Sequence, residues 1–222
     1  MNDLEERIVD AARAGDISGV QDILDATTKK GVLGYVSSKI TGDQFDDQLM
    51  PDDRSKALSA AAGAGHSDIV ELLLPLSDPT YIHSQPLRAA ADAGHAEIVG
   101  LLIPHSDPNA LEGDALRKAA GNGHLEVVMQ LLPHSDPTEW SSGAIRKAAV
   151  NGHTDVVDCL YEHSDIDEAL KFVPDADQQN SGVKYLKNRR LSETEGARLQ
   201  LETRQAAGAW SPDPKEADAQ FD

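Results

Sequence analysis

The sequence has one cysteine, no long apolar run and no secretion signal at its start, and each shortage excludes a class of protein. A single thiol, Cys159, cannot form an internal disulfide, so the fold does not rest on the cross-links typical of small secreted proteins. No stretch approaches the ~20 apolar residues that a membrane-spanning helix needs. The first residues lack both the basic and the apolar segment of a signal peptide. Together these shortages predict a cytoplasmic protein.

Basic and aromatic residues are also scarce. The chain has 20 Lys and Arg against 38 Asp and Glu, which gives a net charge of −18 at pH 7. A protein whose main task is to bind nucleic-acid phosphates needs a basic face, so direct nucleic-acid binding is not expected. Aromatic residues make up only 4% of the chain. The core must therefore consist of small aliphatic side chains, which favours closely packed helices.

The dominant positive feature is an internal repeat. Gly-His pairs begin at Gly65, Gly94, Gly123 and Gly152, so each pair follows the previous one at the same interval, and the surrounding residues repeat in the same register. A fixed register over four copies indicates a tandem array of structural repeats.

The pattern of each copy predicts two short helices. Leu116, Ala119 and Ala120 have helical spacing, and Gly123 follows as a helix C-terminal residue should. A second amphipathic segment covers residues 125–132. Helices this short are marginal alone, so the pattern predicts a solenoid in which stacking buries the apolar faces.

This pattern resembles the ankyrin repeat, and the resemblance covers about residues 5–172. Leu-x-x-Ala-Ala-x-x-Gly-His, Val-Val-x-x-Leu-Leu and Asp-Pro are all legible between Leu116 and Pro137. The usual repeat has about 33 residues, whereas this one has 29. The resemblance therefore implies an all-α ankyrin-type helical solenoid whose β-hairpin fingers are shortened to tight inter-repeat loops.

The chain divides into four predicted segments. Residues 1–26 form a degenerate repeat, and residues 27–54 form a spacer or an eroded repeat. Residues 55–172 hold four clear repeats and a partial closing helix. Residues 173–222 form a C-terminal extension that is part helical, with a flexible, disordered end. Whether this extension or another copy of the chain covers the last repeat stays open, and so does the oligomeric state.

Metal binding and catalysis are not expected. Seven of the eight histidines recur at repeat positions, and equivalent atoms in stacked helices lie about 8–10 Å apart, too far to share one zinc ion. They are interpreted as bonding to backbone at helix ends. Cys159 lies in an amphipathic run and is interpreted as a buried structural thiol. No phosphate-binding loop or nucleophile motif is present, so we expect no enzyme, no metal and no cofactor.

Charge is sorted between the two helices of each repeat. Basic residues recur in the first helices, and the resemblance implies that these helices and their loops line the concave, partner-binding side. A second interpretation is that these cations only bond neighbouring loops and screen the acidic excess. Aromatic residues in the loops could anchor a partner or fold back on the solenoid edge. The predicted partner-binding residues are Tyr81, His83, Arg88, Glu112, Arg117, Lys118, Trp140, Arg146 and Lys147.

Two functional hypotheses follow. The first is a non-catalytic scaffold or inhibitor that binds a partner protein, with interference with a host protein as one form of it. The second is an acidic nucleic-acid mimic that blocks the basic groove of a nucleic-acid-processing enzyme through Glu97, Glu126 and Asp155. The sequence does not identify the partner or the process.

Overall fold

The computed structural model describes residues 3–27 and 51–209, and within these residues the fold is helical throughout, with no strand. The described part of the second helix, α2, covers residues 17–27. The other helices are α1 Asp3–Ala14, α3 Pro51–Ala64, α4 Ser67–Leu73, α5 Tyr81–Ala93, α6 Ala96–Leu102, α7 Ala110–Asn122, α8 Leu125–Leu131, α9 Glu139–Asn151, α10 Thr154–Leu160, α11 Ile166–Lys171 and α12 Ser181–Ala209.

The helices pair into repeats that stack in chain order. The first helices α1, α3, α5, α7 and α9 each contact the next, and the second helices α4, α6, α8 and α10 form a parallel row. The predicted all-α solenoid is confirmed. The connections are short turns, such as residues 135–138 before α9.

The core is aliphatic and repeats with the sequence. One buried position of the first helix holds Leu or Ile in every repeat, and three positions of the second helix hold Ile, Val or Leu. These buried residues are Leu58, Leu87, Leu116 and Ile145 in the first helices, and Ile69, Val70, Leu73, Ile98, Val99, Leu102, Val127, Val128, Leu131, Val156, Val157 and Leu160 in the second.

A glycine and a histidine join neighbouring repeats. Gly94 ends α5 with φ 82°, and a Cβ there would lie 2.6 Å from Nδ1 of His124 in the next repeat. The Nε2 of His124 lies 3.1 Å from the backbone oxygen of Asp92. The histidine ring thus packs flat on the glycine and bonds to backbone, as the sequence predicted for these histidines.

The turn that enters α5 is left-handed. Ile82, His83 and Ser84 have φ between 43° and 58°, and Leu111, Glu112 and Gly113 repeat this at the start of α7. Such a turn costs about 1–2 kcal/mol per non-glycine residue. Because α5 and α7 both begin with this turn, no β-hairpin precedes either helix within the described residues.

The C-terminal extension covers the last repeat. Val183 and Leu186 of α12 are fully buried, and α12 packs on α9, α10 and α11. Gly182 lies so close to the Ala149 carbonyl and to Gly152 that a Cβ would overlap them. The sequence left open whether the extension or another copy of the chain covers the last repeat, and in the structure the extension covers it.

Two predicted segments fall wholly or partly outside the described residues. Residues 28–50 of the predicted spacer and the predicted disordered end beyond residue 209 belong there. At the C-terminal edge of the spacer, α3 begins at Pro51, so residues 51–54 are helical.

Candidate partner-binding face

The first helices α5, α7 and α9 present a polar surface in the same register. We call it the first-helix face, and its charged residues are half-buried or exposed. It consists of Arg88, Asp92, Arg117, Lys118, Arg146 and Lys147.

A buried carboxylate organises the centre of this face. Arg88 donates from Nε to Oδ2 of Asp114 at 2.7 Å, and Arg117 donates from a terminal nitrogen to Oδ1 at 2.5 Å. Asp114 is only 6% exposed. Arg88 also donates to the carbonyl of Ile82 at 3.3 Å, which ties this network to the left-handed turn at the start of α5.

The two guanidinium groups keep Asp114 ionised. Burial by itself would raise the pKa of this carboxyl, because it disfavours the charged form. Hydrogen bonds from Arg88 and Arg117 outweigh the burial and hold the pKa of Asp114 below its ordinary value of 3.8. At the centre of the face, both arginines are therefore paired with a carboxylate of the protein itself.

Lys118 is also paired within the chain. Its Nζ lies 3.0 Å from Oδ2 of Asp92, and the Nδ2 of Asn122 donates to Oδ1 of the same carboxylate at 2.8 Å. A cavity of about 240 Å³ lies beside these residues and extends to Lys147 and Asn151.

Arg146 and Lys147 differ from the other cations of the face. Neither makes an ion pair with a carboxylate in the described part of the chain. The guanidinium carbon of Arg146 lies 5.9 Å from the centre of the Phe172 ring, and Phe172 is 48% exposed. Burial, and then the nearby charge of Arg117, lower the pKa of Arg146. The end of the face near α11 thus carries uncompensated positive charge beside an exposed ring.

The left-handed turns add exposed apolar side chains. Ile82 is 54% exposed and Leu111 is 45% exposed. Trp140 occupies the same position in the next repeat, but its side chain lies outside the described residues. Of the other predicted turn residues, His83 and Glu112 are exposed and Tyr81 is half-buried.

The predicted residues therefore divide into two groups. The structure joins Arg88 and Arg117 through Asp114, and it places Arg146 beside Lys147. His83 and Glu112 are exposed, and neither takes part in the hydrogen bonds around Asp114.

The opposite side of each repeat carries acidic residues at one position. These side chains are exposed and recur once per repeat, at the start of each second helix. We call them the second-helix acidic row, and they are Asp68, Glu97, Glu126 and Asp155.

Comparison with known families agrees with this repeat geometry. A family model for ankyrin repeats in three copies matches residues 8–112 and 87–172, which together span most of the chain. The chain belongs to the ankyrin repeat family. Among curated proteins, none is similar enough to count as a match.

Membership of the ankyrin family indicates a protein-protein interaction domain, in a family that is generally non-catalytic. Within the described residues, no group of three or more His, Cys, Asp or Glu side chains is arranged to hold a metal ion. In the same residues, no helix is both long and apolar enough to cross a membrane.

Cys159 departs from its predicted burial. It is half-buried, and the fully buried position of this ankyrin repeat belongs to Leu160. Partial burial raises the pKa of the thiol, which lowers its reactivity.

Sequence reasoning missed Asp114 and Phe172. Both occupy the repeat position that holds Gln85 in one ankyrin repeat and Gly143 in another. This variation within an otherwise regular array was the available signal. A position that varies while its neighbours repeat marks a place where each ankyrin repeat has its own contacts.

Proposed function

We propose that this protein is a non-catalytic scaffold or inhibitor that binds a partner protein through the first-helix face and the adjoining left-handed turns. The observation that carries the proposal is the pair Arg146 and Lys147, which has no carboxylate partner among the described residues of a chain of net charge −18. A half-buried cation without a counter-ion is costly, and a partner's carboxylate would offset that cost.

Exposed apolar side chains near the charged face support the same proposal. Ile82 and Leu111 are held outward by backbone in the left-handed region. Backbone strain that exposes an apolar group is typical of binding surfaces, since a surface without function would relax it. The predicted residues Tyr81, His83, Glu112 and Trp140 belong to these turns.

The experiment is affinity capture from extracts of the protein's own cell, or of its host, with the full-length chain as bait. We expect Arg146→Glu/Lys147→Glu to lose specific partners that the wild type retains. The control is Arg198→Glu, which reverses one charge of α12 outside the first-helix face, at a residue whose side chain is 78% exposed. Circular dichroism checks that each variant is folded.

A nucleic-acid mimic is the second candidate, and the second-helix acidic row favours it. Four exposed carboxylates at a fixed sequence interval on a stiff stack form a regular row of negative charge, as a polyanion does. In this case Glu97→Lys/Glu126→Lys/Asp155→Lys would lose the captured proteins, while Arg146→Glu/Lys147→Glu would keep them.

Location and mode of action complete the proposal. We place the protein in the cytoplasm, or in the host cytoplasm if its source is viral or microbial, and we assign it no enzymatic activity. Inhibition of the captured protein's own activity by the purified chain would distinguish an inhibitor from a scaffold.

A further inference from the structure

One position of the repeat holds a different residue in each copy, and this position lies next to the cations of the first-helix face. It is occupied in successive repeats by Lys56, Gln85, Asp114, Gly143 and Phe172. We call it the variable position. In the repeat of α7 it carries a carboxylate that receives hydrogen bonds from two arginines.

The geometry around Asp114 defines a carboxylate site built from repeat elements. One arginine, Arg88, comes from the preceding repeat, and the other, Arg117, follows the carboxylate by one helical turn. Guanidinium groups suit carboxylates because their donors form a planar fork. This arrangement shows which ligand the face accepts at the variable position.

Arg146 likewise lies one helical turn after the variable position of its own repeat and next to that of the following repeat, but it pairs with no carboxylate within the described residues. One helical turn before it stands Gly143, which has no side chain, and the variable position of the following repeat holds Phe172, whose ring it contacts. In place of a carboxylate, Arg146 therefore has a glycine on one side and an aromatic face on the other.

A cavity of about 310 Å³ lies at this point. Its lining combines cations, an amide and apolar groups with one carboxylate, Asp177, which in the described part of the chain makes no ion pair with Arg146 or Lys147. Lys171 also lies over the Phe172 ring, with its Nζ 5.2 Å from the centre. The other lining residues used here are Val150, Asn151 and Pro174.

We propose that Arg146 and Phe172 form a site for an aspartate or glutamate side chain of a partner protein followed by an apolar residue. The carboxylate pairs with Arg146, and the apolar side chain packs on Phe172 and Pro174. This inference rests on the proposed function, because it names the chemistry that the first-helix face would recognise in a partner. Charge complementarity and the internal example of Asp114 select a carboxylate as occupant.

The direct test is a nuclear magnetic resonance titration of the full chain with the peptide acetyl-Ala-Asp-Leu-Ala-amide. We expect saturable shifts of the Arg146 Nε–H and Phe172 signals. Acetyl-Ala-Asn-Leu-Ala-amide is the matched probe, and loss of the ion pair should weaken its binding about tenfold, which corresponds to about 1.4 kcal/mol. Equal binding of both peptides, shifts located elsewhere or no shifts at all would overturn the proposal. If inorganic phosphate binds the site more tightly than the aspartate peptide does, the choice of a carboxylate as ligand is wrong.

A variant can fill the site from within. Gly143→Asp places a carboxylate between Arg117 and Arg146, as Asp114 lies between Arg88 and Arg117. We expect this variant to lose peptide binding, and retained binding would contradict the proposal. If the buried substitution prevents folding, Phe172→Glu supplies the carboxylate from a half-exposed position and removes the aromatic face, with the same expected loss.

The same variants separate this inference from the proposed function. If Arg146→Glu/Lys147→Glu loses captured partners while folded Gly143→Asp keeps them, the carboxylate site is wrong and the binding face stands. If every variant keeps them, the proposed function fails as well.

Discussion

The side-chain oxygen of Asn109 accepts a hydrogen bond from the backbone N–H of Asp136 at 2.9 Å. In other repeats a serine makes this bond; Ser84, for example, accepts from the N–H of Asp107 at 2.9 Å. The serine position of the α7 repeat is Gly113, which has no side chain to offer. Asn109, one turn earlier, therefore replaces the missing hydroxyl and keeps the inter-repeat bond.

Asn109→Ala should lower the free energy of unfolding by about 1 kcal/mol, because it leaves the Asp136 N–H without its protein partner. Gly113→Ser should restore the loss, since Ser84 and Ser142 adopt the same positive φ and a Cβ at Gly113 has ordinary contacts at 3.8 Å. Urea unfolding of the single and double variants measures both effects. If Gly113→Ser does not restore the stability lost in Asn109→Ala, the Asn109 hydrogen bond does not replace the serine hydrogen bond of the other repeats.

Asp114→Asn should cost about 2 kcal/mol at pH 7, because two arginines lose a charged acceptor. The pKa of Asp114 is lowered in the folded state, so its ionisation stabilises the fold above the ordinary carboxyl pKa. That contribution disappears as pH falls through the folded pKa, below 3.8. The stability difference between wild type and Asp114→Asn should therefore shrink in acid. Glu126→Gln, at an exposed carboxylate of the second-helix acidic row, is the control and should change stability little at pH 7.

Tyr161 should titrate at a higher pH than a free tyrosine. Burial, with its hydrogen bond to Glu193 at 2.7 Å, raises the pKa of Tyr161 to about 12. Its neutral form therefore stabilises the docking of α12 below the ordinary tyrosine pKa of about 10. This contribution is lost as pH rises through about 12. Tyrosinate absorbance of wild type against Tyr161→Phe should show one late-titrating group missing in the variant. Tyr185→Phe, which removes an exposed tyrosine, should leave that group in place.

Two glycine substitutions should change the free energy of unfolding in opposite directions. Gly94→Ala places a Cβ at φ 82° and 2.6 Å from the His124 ring, so we expect a loss of more than about 1 kcal/mol. Gly100→Ala lies inside α6, where the Cβ would meet only Gln130 at 3.5 Å. It should gain about 0.5–1 kcal/mol from helix propensity. Thermal unfolding of both variants measures these changes. Equal shifts in the melting temperature would show that the glycine-histidine contact does not stabilise the stack.

The fold could be predicted because its determinants lie close together in the chain. Leu116 and Ala119 set the helical face, Gly123 ends the helix, and the fixed interval determines which faces stack. The shortened loops follow from the short interval between copies. The left-handed turns could not be predicted, since Ile82 and Leu111 are residues that rarely adopt positive φ.

The candidate site was predicted only in part. Regular spacing placed Arg88, Arg117 and Arg146 on one face, which the structure shows. It could not tell which of them would be paired within the chain, because the partners come from other repeats. The docking of α12 through Tyr161 and Glu193 likewise joins residues that are distant in the chain.

The sequence by itself determined the repeat, the helices and the buried aliphatic positions, since each depends on local spacing and on contacts that recur in every copy. Only the tertiary structure decided which charges are compensated. Arg88 meets Asp114 and Arg146 meets Phe172, although both arginines occupy the same repeat position. An ion pair depends on the single side chain that stacking brings within hydrogen-bond distance. The periodic pattern describes only what the repeats share, so it does not identify that side chain.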